Sequence, residues 1–120
     1  MGKKILCVDD SITIQRLVQN ILSQDGNEVL VADNGSVALA MADPSVDLYL
    51  VDVNMPVMDG FEFVSALKKR TELPARPVVF VTTESNEEVR SRGKSLGAAG
   101  WMVKPFDAPA LSKVVAMLTG

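Results

Sequence analysis

Six side chains with chemical potential stand where apolar runs close: Asp9 and Asp10 after "ILCV", Asp52 after "LYLV", Thr82 and Thr83 at the end of "PVVFVT", and Lys104 after "WMV". Singly, each has an ordinary reading. Asp9 and Asp10 could cap a helix beginning near Ser11, and Asp52 could start a turn. Together they describe a site. Three carboxylates brought close repel one another, so either one holds a proton or a cation neutralises them. The chain has no histidine and a single cysteine, so the available ligands are oxygens and a hard ion is favoured. Magnesium fits, because it accepts a few carboxylate or carbonyl oxygens and keeps waters that a phosphate can replace. Lys104 then offers a compact positive charge and Thr82 a neutral hydroxyl donor. A metal, an ammonium and a hydroxyl around one carboxylate suit phosphoryl transfer, in which negative charge spread over three oxygens must be stabilised. With Asp9 and Asp10 engaged by the metal, Asp52 is left as the nucleophile and an acyl phosphate as its product.

Such a site needs the strand ends on one edge. Five short apolar runs recur, at 5–8, 28–32, 47–53, 77–82 and 101–103, mostly continuous rather than alternating, as strands covered on both faces are. Helical spacing lies between them, clearest in Ile14, Leu17, Val18, Ile21 and Leu22 and in Leu111, Val114, Val115 and Leu118. Asp25-Gly26 ends the first helix, Ser85 with Glu88 reads as a capping box for the fourth, and Asp107 caps the last with Pro109 in its first turn. The second helix, 35–42, is weakly periodic. The fourth, 86–97, has only Val89 and Leu96 as large apolar residues. Alternating strands and helices predict an α/β fold, a doubly wound parallel sheet whose ligands sit beyond the carboxyl ends of its strands.

Composition narrows the function classes. With 120 residues and 48% apolar content, the chain matches one domain, residues 1–120, with a core of its own. Its net charge of -3 opposes nucleic-acid binding, and Lys68, Lys69 and Arg70 read as cations at a helix carboxyl end. The absence of histidine removes mechanisms in which the chain supplies its own imidazole. Cys7, inside a strand run, reads as a buried inert thiol in a reducing compartment. No apolar run approaches the roughly 18 to 20 residues of a membrane span, and the expectation is a cytoplasmic monomer outside the membrane.

The motifs "CVDDS", "VDVNMPVMDG", "VFVTTES" and "GWMVKPF" resemble, in order and spacing, those of response regulator receiver domains in two-component systems, especially single-domain chemotaxis regulators. The resemblance covers essentially the whole chain. It implies the sheet order 2-1-3-4-5 with five helices, and phosphorylation of Asp52 from the phosphohistidine of a partner sensor kinase. It implies Mg²⁺ held by Asp9 or Asp10, Asp52 and the backbone carbonyl of Asn54. Lys104 would pair with the phosphoryl oxygens and precede a cis bond to Pro105, and Thr82 would move toward the phosphate.

The same resemblance gives Asn54 and Glu84 positions flanking the attacking water, where they tune dephosphorylation. It gives Trp101 the place of an aromatic switch, usually Tyr or Phe. The output surface would comprise the fourth helix, fifth strand and fifth helix, with Arg90, Arg92 and Lys94 on it and a downstream protein as partner. The chain is then a phosphoacceptor switch that catalyses its own phosphorylation and dephosphorylation, in chemotaxis or motility signalling. A receiver module of a larger regulator, or a phosphorelay intermediate, is the alternative. An aspartyl phosphohydrolase would want a second Asp where Asn54 stands, and a flavodoxin-like cofactor binder would want a glycine cradle in place of "DDSIT".

Overall fold

Val, Ile and Leu runs form five strands, β1 (Lys4–Val8), β2 (Glu28–Ala32), β3 (Leu48–Val51), β4 (Val78–Thr82) and β5 (Gly100–Val103). Five helices connect and follow them: α1 (Ile12–Gln24), α2 (Gly35–Met41), α3 (Gly60–Lys68), α4 (Glu87–Ser95) and α5 (Ala108–Thr119). The computed structural model describes residues 2–84 and 86–120. Every strand pair is parallel and the order is β2-β1-β3-β4-β5, the flavodoxin-like order expected. β1 and β3 are central, so Val8 pairs with Val51 and the residues that follow each meet at one edge.

Alternate strand residues face opposite layers. Ile5, Cys7, Leu48, Leu50, Val79 and Val81 pack with Val18, Leu22, Leu111 and Val115 of α1 and α5. Leu6, Val8, Tyr49, Val51 and Phe80 face the other way, onto Ala38 of α2 and Phe61, Phe63 and Val64 of α3. Phe80 stacks edge-on against Phe61, with ring centroids 5.2 Å apart. Burying these side chains on both faces fixes each strand's height, and with it the height of the residue at its end.

Helix caps decide what the strand-end acids are free to do. Ser11 is the N-cap of α1, its side chain accepting from the Ile14 amide, and Asp59 caps α3 in a capping box with Glu62. Neither Asp10 nor Asp52 is a cap. Asn34 caps α2, and Asp107 caps α5 with Pro109 in the first turn. Asn86 caps α4 through the Val89 amide; the capping box expected at Ser85 falls outside the described residues.

Three differences from the sequence reading have local causes. β3 stops at Val51 rather than running to Val53, because the Val53 carbonyl accepts from the Gly60 amide at 2.9 Å and draws the chain into a turn. Leu17, placed on the apolar stripe of α1, is 40% exposed; the buried line runs through Gln15, Val18 and Leu22 instead. α4 is shorter than expected and buries only Gly93, whose missing Cβ leaves room for the Trp101 ring.

Candidate functional site

The carboxyl ends of β1, β3, β4 and β5 converge as the topology requires. The Asp52 amide donates to the Val8 carbonyl at 2.9 Å, and the Lys104 amide donates to the Thr82 carbonyl at 2.9 Å. Ladder bonds thus extend one residue past the strands and orient the side chains that follow. Gly60 allows the turn after β3 to fold back, since a Cβ there would strike the Asp52 carbonyl oxygen.

Asp9, Asp10 and Asp52 each present a carboxylate oxygen within 4.8 Å of the others. Asp9 is 3% exposed and Asp52 8%, whereas Asp10 faces solvent. Lys104 reaches between the two buried acids, its Nζ 2.6 Å from Asp9 Oδ2 and 3.2 Å from Asp52 Oδ2. Burial pushes the Asp9 carboxyl above the ordinary range, against the hydrogen bonds from Lys104 and the Ser11 amide. Burial also disfavours the Lys104 charge, but the bond to Asp9 and the field of Asp52 outweigh it and its pKa is raised. The ammonium is therefore held charged, and it neutralises a cluster that would otherwise repel itself.

Thr82 is fully buried and its hydroxyl oxygen accepts from the Glu84 amide at 3.2 Å. Thr83, the next residue, is exposed. Asn54 Nδ2 donates to Glu84 Oε1 at 3.2 Å, so the two residues expected to flank attacking water form a polar bridge at the rim. Trp101 lies against Phe80, ring centroids 5.5 Å apart, and its Nε1 donates to the Glu84 carbonyl at 3.2 Å. The Lys104-Pro105 peptide is cis. Every residue singled out from the sequence for chemistry is at this edge, with Trp101 one layer below.

Two supports escaped the sequence reading. Gln15 is buried, and its Nε2 donates both to the Asp9 carbonyl at 2.7 Å and to Asp33 Oδ1 at 2.8 Å. It braces the acid-bearing turn against the turn after β2. Its signal was available, since a glutamine three before Val18 and seven before Leu22 lies on the buried line. The other support is Val57, whose φ is 70°, at the centre of a γ-turn closed by the Met58 amide on the Pro56 carbonyl at 2.7 Å. No sequence signal predicts a β-branched residue there.

Comparison with known proteins decides the family: the response regulator receiver domain matches residues 5–116. The chain belongs to that family. As a receiver it is similar to the Vibrio cholerae chemotaxis protein CheY4, with 42% identity, a TM-score of 0.91 and coverage of 98% of this chain and 99% of that one. Protein PilH of Pseudomonas aeruginosa is 38% identical over 98% of both chains. The transcriptional regulatory protein CpxR of Klebsiella pneumoniae is 39% identical over 96% of this receiver but only 49% of its own length. The receiver spans about half the length of such transcriptional regulators. Receivers bind Mg²⁺ at an acidic cluster, and the all-oxygen set of Asp9, Asp10 and Asp52 has the chemistry for it. No helix among the described residues is long and apolar enough to cross a membrane.

Proposed function

We propose that this receiver accepts a phosphoryl group on Asp52 from the phosphohistidine of a sensor kinase and thereby switches a partner-binding surface, in chemotaxis or motility signalling. The observation that carries the reading is the placement of Lys104 Nζ between Asp9 and Asp52, beside a buried Thr82 hydroxyl. In transfer, an Asp52 oxygen attacks phosphorus, the bond to the partner's imidazole nitrogen breaks, and that nitrogen keeps the electron pair. The product is an acyl phosphate carrying extra negative charge. Lys104 answers that charge by leaving Asp9 for a phosphoryl oxygen, and Thr82 supplies a hydrogen bond to another. Mg²⁺, held by Asp9, Asp10, Asp52 and the Asn54 carbonyl, supplies further charge neutralisation when bound.

Reversal needs water in line behind phosphorus, with Asp52 leaving as the carboxylate and inorganic phosphate as product. Asn54 and Glu84, bridged at 3.2 Å, flank that approach and set its rate. Thr82 engagement pulls on the Glu84 amide it now accepts from. Trp101, bonded to the carbonyl of the same Glu84, feels the movement. The signal then reaches the surface of α4, β5 and α5, where Arg90, Lys94 and Trp101 line an open cavity of about 590 Å³. Arg92 faces elsewhere, its guanidinium 4.6 Å over the Phe61 ring, as a clamp on α4 rather than a free contact.

Similarity to the Vibrio cholerae chemotaxis protein CheY4 supports the chemotaxis reading. Half-length matches to transcriptional regulators support a second reading, in which the same phosphorylated domain drives an attached or separate output. One experiment tests the shared chemistry. Trp101 fluorescence is followed during addition of Mg²⁺ and then acetyl phosphate, with intact mass measured in parallel and Asp52→Asn alongside. A Mg²⁺-dependent change that needs Asp52, adds one phosphoryl group and decays as donor is exhausted is expected. A parent protein that gains no phosphoryl group refutes the mechanism.

A further inference from the structure

The opposite edge of the sheet carries a second cavity, with basic side chains on a largely apolar lining. It has a volume of about 440 Å³, within the range of small-molecule sites, and sits at the amino ends of β3 and β4. Tyr49 and Val78, which pair across those strands, form its floor. Tyr49 lies about 10 Å along β3 from Asp52, at roughly 3.3 Å per residue, so this is not the phosphoacceptor site.

Its wall is cationic. Lys68, Arg70 and Arg76 all line it and no acidic residue does, in a chain whose net charge is -3. Both arginines are pinned from behind by backbone carbonyls. Arg70 donates to Leu39 O at 2.7 Å, and Arg76 to Pro44 O at 3.3 Å. Arg70 Nε also meets Glu72 at 3.0 Å, which still leaves each guanidinium N–H groups to offer. Lys68 makes no ion pair among the described residues, and Gly97, at φ 83°, leaves it space that a Cβ would occupy. The Tyr49 ring is buried, while its hydroxyl oxygen is not sealed off and Tyr49 lines the cavity. Burial and the Asp43 carboxylate push that phenol above its ordinary range while Arg70 and Arg76 pull against them, so it stays a neutral donor. Leu67, Leu73 and Pro74 supply an apolar side to the cavity.

We propose that this cavity binds a small phosphate-bearing molecule with an apolar body, of nucleoside monophosphate size, through Lys68, Arg70, Arg76 and the Tyr49 hydroxyl. Two arginines held from behind, a nearby lysine and a hydroxyl suit a dianion better than a single carboxylate. The apolar side is surplus to inorganic phosphate. The site stands independently of the phosphoacceptor chemistry.

The test is a titration of the full chain, without Mg²⁺ and at low ionic strength, with adenosine monophosphate and separately with inorganic phosphate, read by backbone amide resonances. Saturable shifts centred on residues 67–78 are expected, with the nucleotide binding about tenfold more tightly than phosphate. Arg76→Gln weakens nucleotide binding by about tenfold and Tyr49→Phe by about fivefold. Tyr49→Phe keeps the ring that packs 6.0 Å from Phe63, so it separates loss of the hydroxyl from loss of the fold. Absence of saturable shifts, shifts centred on residues 9, 52 and 104, or nucleotide affinity unchanged in Arg76→Gln overturns the site. Equal affinity for both probes overturns the organic ligand.

Discussion

Lys104 and Gln15 do their work by holding acids in place, and each makes a measurable prediction. Replacing Lys104 with Met leaves Asp9 and Asp52 buried without their counter-charge, at a cost of about 3 kcal/mol in urea unfolding at neutral pH. Because the folded-state pKa of Asp9 is raised, protonation relieves that repulsion, so the deficit shrinks as pH falls through the Asp9 pKa. Gln15→Leu strands the buried Asp9 carbonyl and removes the link to the exposed Asp33 carboxylate. It costs about 1–3 kcal/mol in stability and about tenfold in Mg²⁺ affinity, measured by metal titration. Cys7 gives the pH dependence its sign. Burial pushes its thiol from 9.0 to about 12, so its contribution to stability is complete below pH 9.0 and is lost as pH rises from there toward 12. Lys104, also raised, adds a loss above 10.5. Unfolding curves across that window are expected to fall less steeply for Cys7→Ala than for the parent. That Asp9, Asp10, Asp52, Thr82 and Lys104 share one edge was legible in the sequence, because each is a polar residue closing an apolar run. The hydrogen bonds of Gln15 were not, because its two acceptors come from turns that only the folded sheet brings together.

Elements were legible where burial is two-sided and blurred where turns intervene. β1, β3 and β4 read directly, since continuous Val, Ile and Leu runs have no other economical use in a short segment. The end of β3 did not, because the Gly60 amide takes the Val53 carbonyl and nothing in "VDVNM" announces it. Val57 is the clearest conflict between local preference and observed backbone. Its φ of 70° puts a β-branched side chain in the left-handed region, and it is 82% exposed, so packing gives little in return. Val57→Gly is expected to stabilise the fold by about 1 kcal/mol, seen as a higher urea midpoint with an unchanged slope. Gly93 in α4 presents the reverse case. Alanine is the better helix former by about 1 kcal/mol, but its Cβ would come within 2.7 Å of the Trp101 ring and 3.2 Å of Phe80. Gly93→Ala is therefore expected to shift Trp101 emission and to destabilise rather than stabilise.

For the molecule as a whole, the doubly wound sheet separates two edges with different charge. Acids gather where strands end, and Lys68, Arg70 and Arg76 gather where β3 and β4 begin. A ligand that binds only the folded form adds stability by mass action, by about 2.7 kcal/mol at a hundredfold excess over its Kd. Mg²⁺ is expected to raise the melting temperature of the parent and to do so much less in Asp52→Asn, as scanning calorimetry would show. The sheet order was legible only through family resemblance. Strand identities alone do not fix which neighbours pair, because that depends on how each crossover packs. Lys68, Lys69 and Arg70 read as cations at a helix carboxyl end, and Lys68 and Lys69 close α3; that Arg76 comes beside them was not legible, because it depends on the loop before β4.

The bond from Lys104 to Asp9 joins residues 95 positions apart, and that has a consequence for biosynthesis. All three acids leave the ribosome before their counter-ion does. A nascent chain that has delivered β1 through β4 carries Asp9, Asp10 and Asp52 but not the Lys104 ammonium that lies between Asp9 and Asp52 in the folded protein. Since chains emerge at about 5–20 residues per second, that interval lasts seconds. The Lys104 counter-charge therefore joins the acids only when the last strand docks, and under the proposed function a copy still lacking β5 is not yet competent to accept a phosphoryl group.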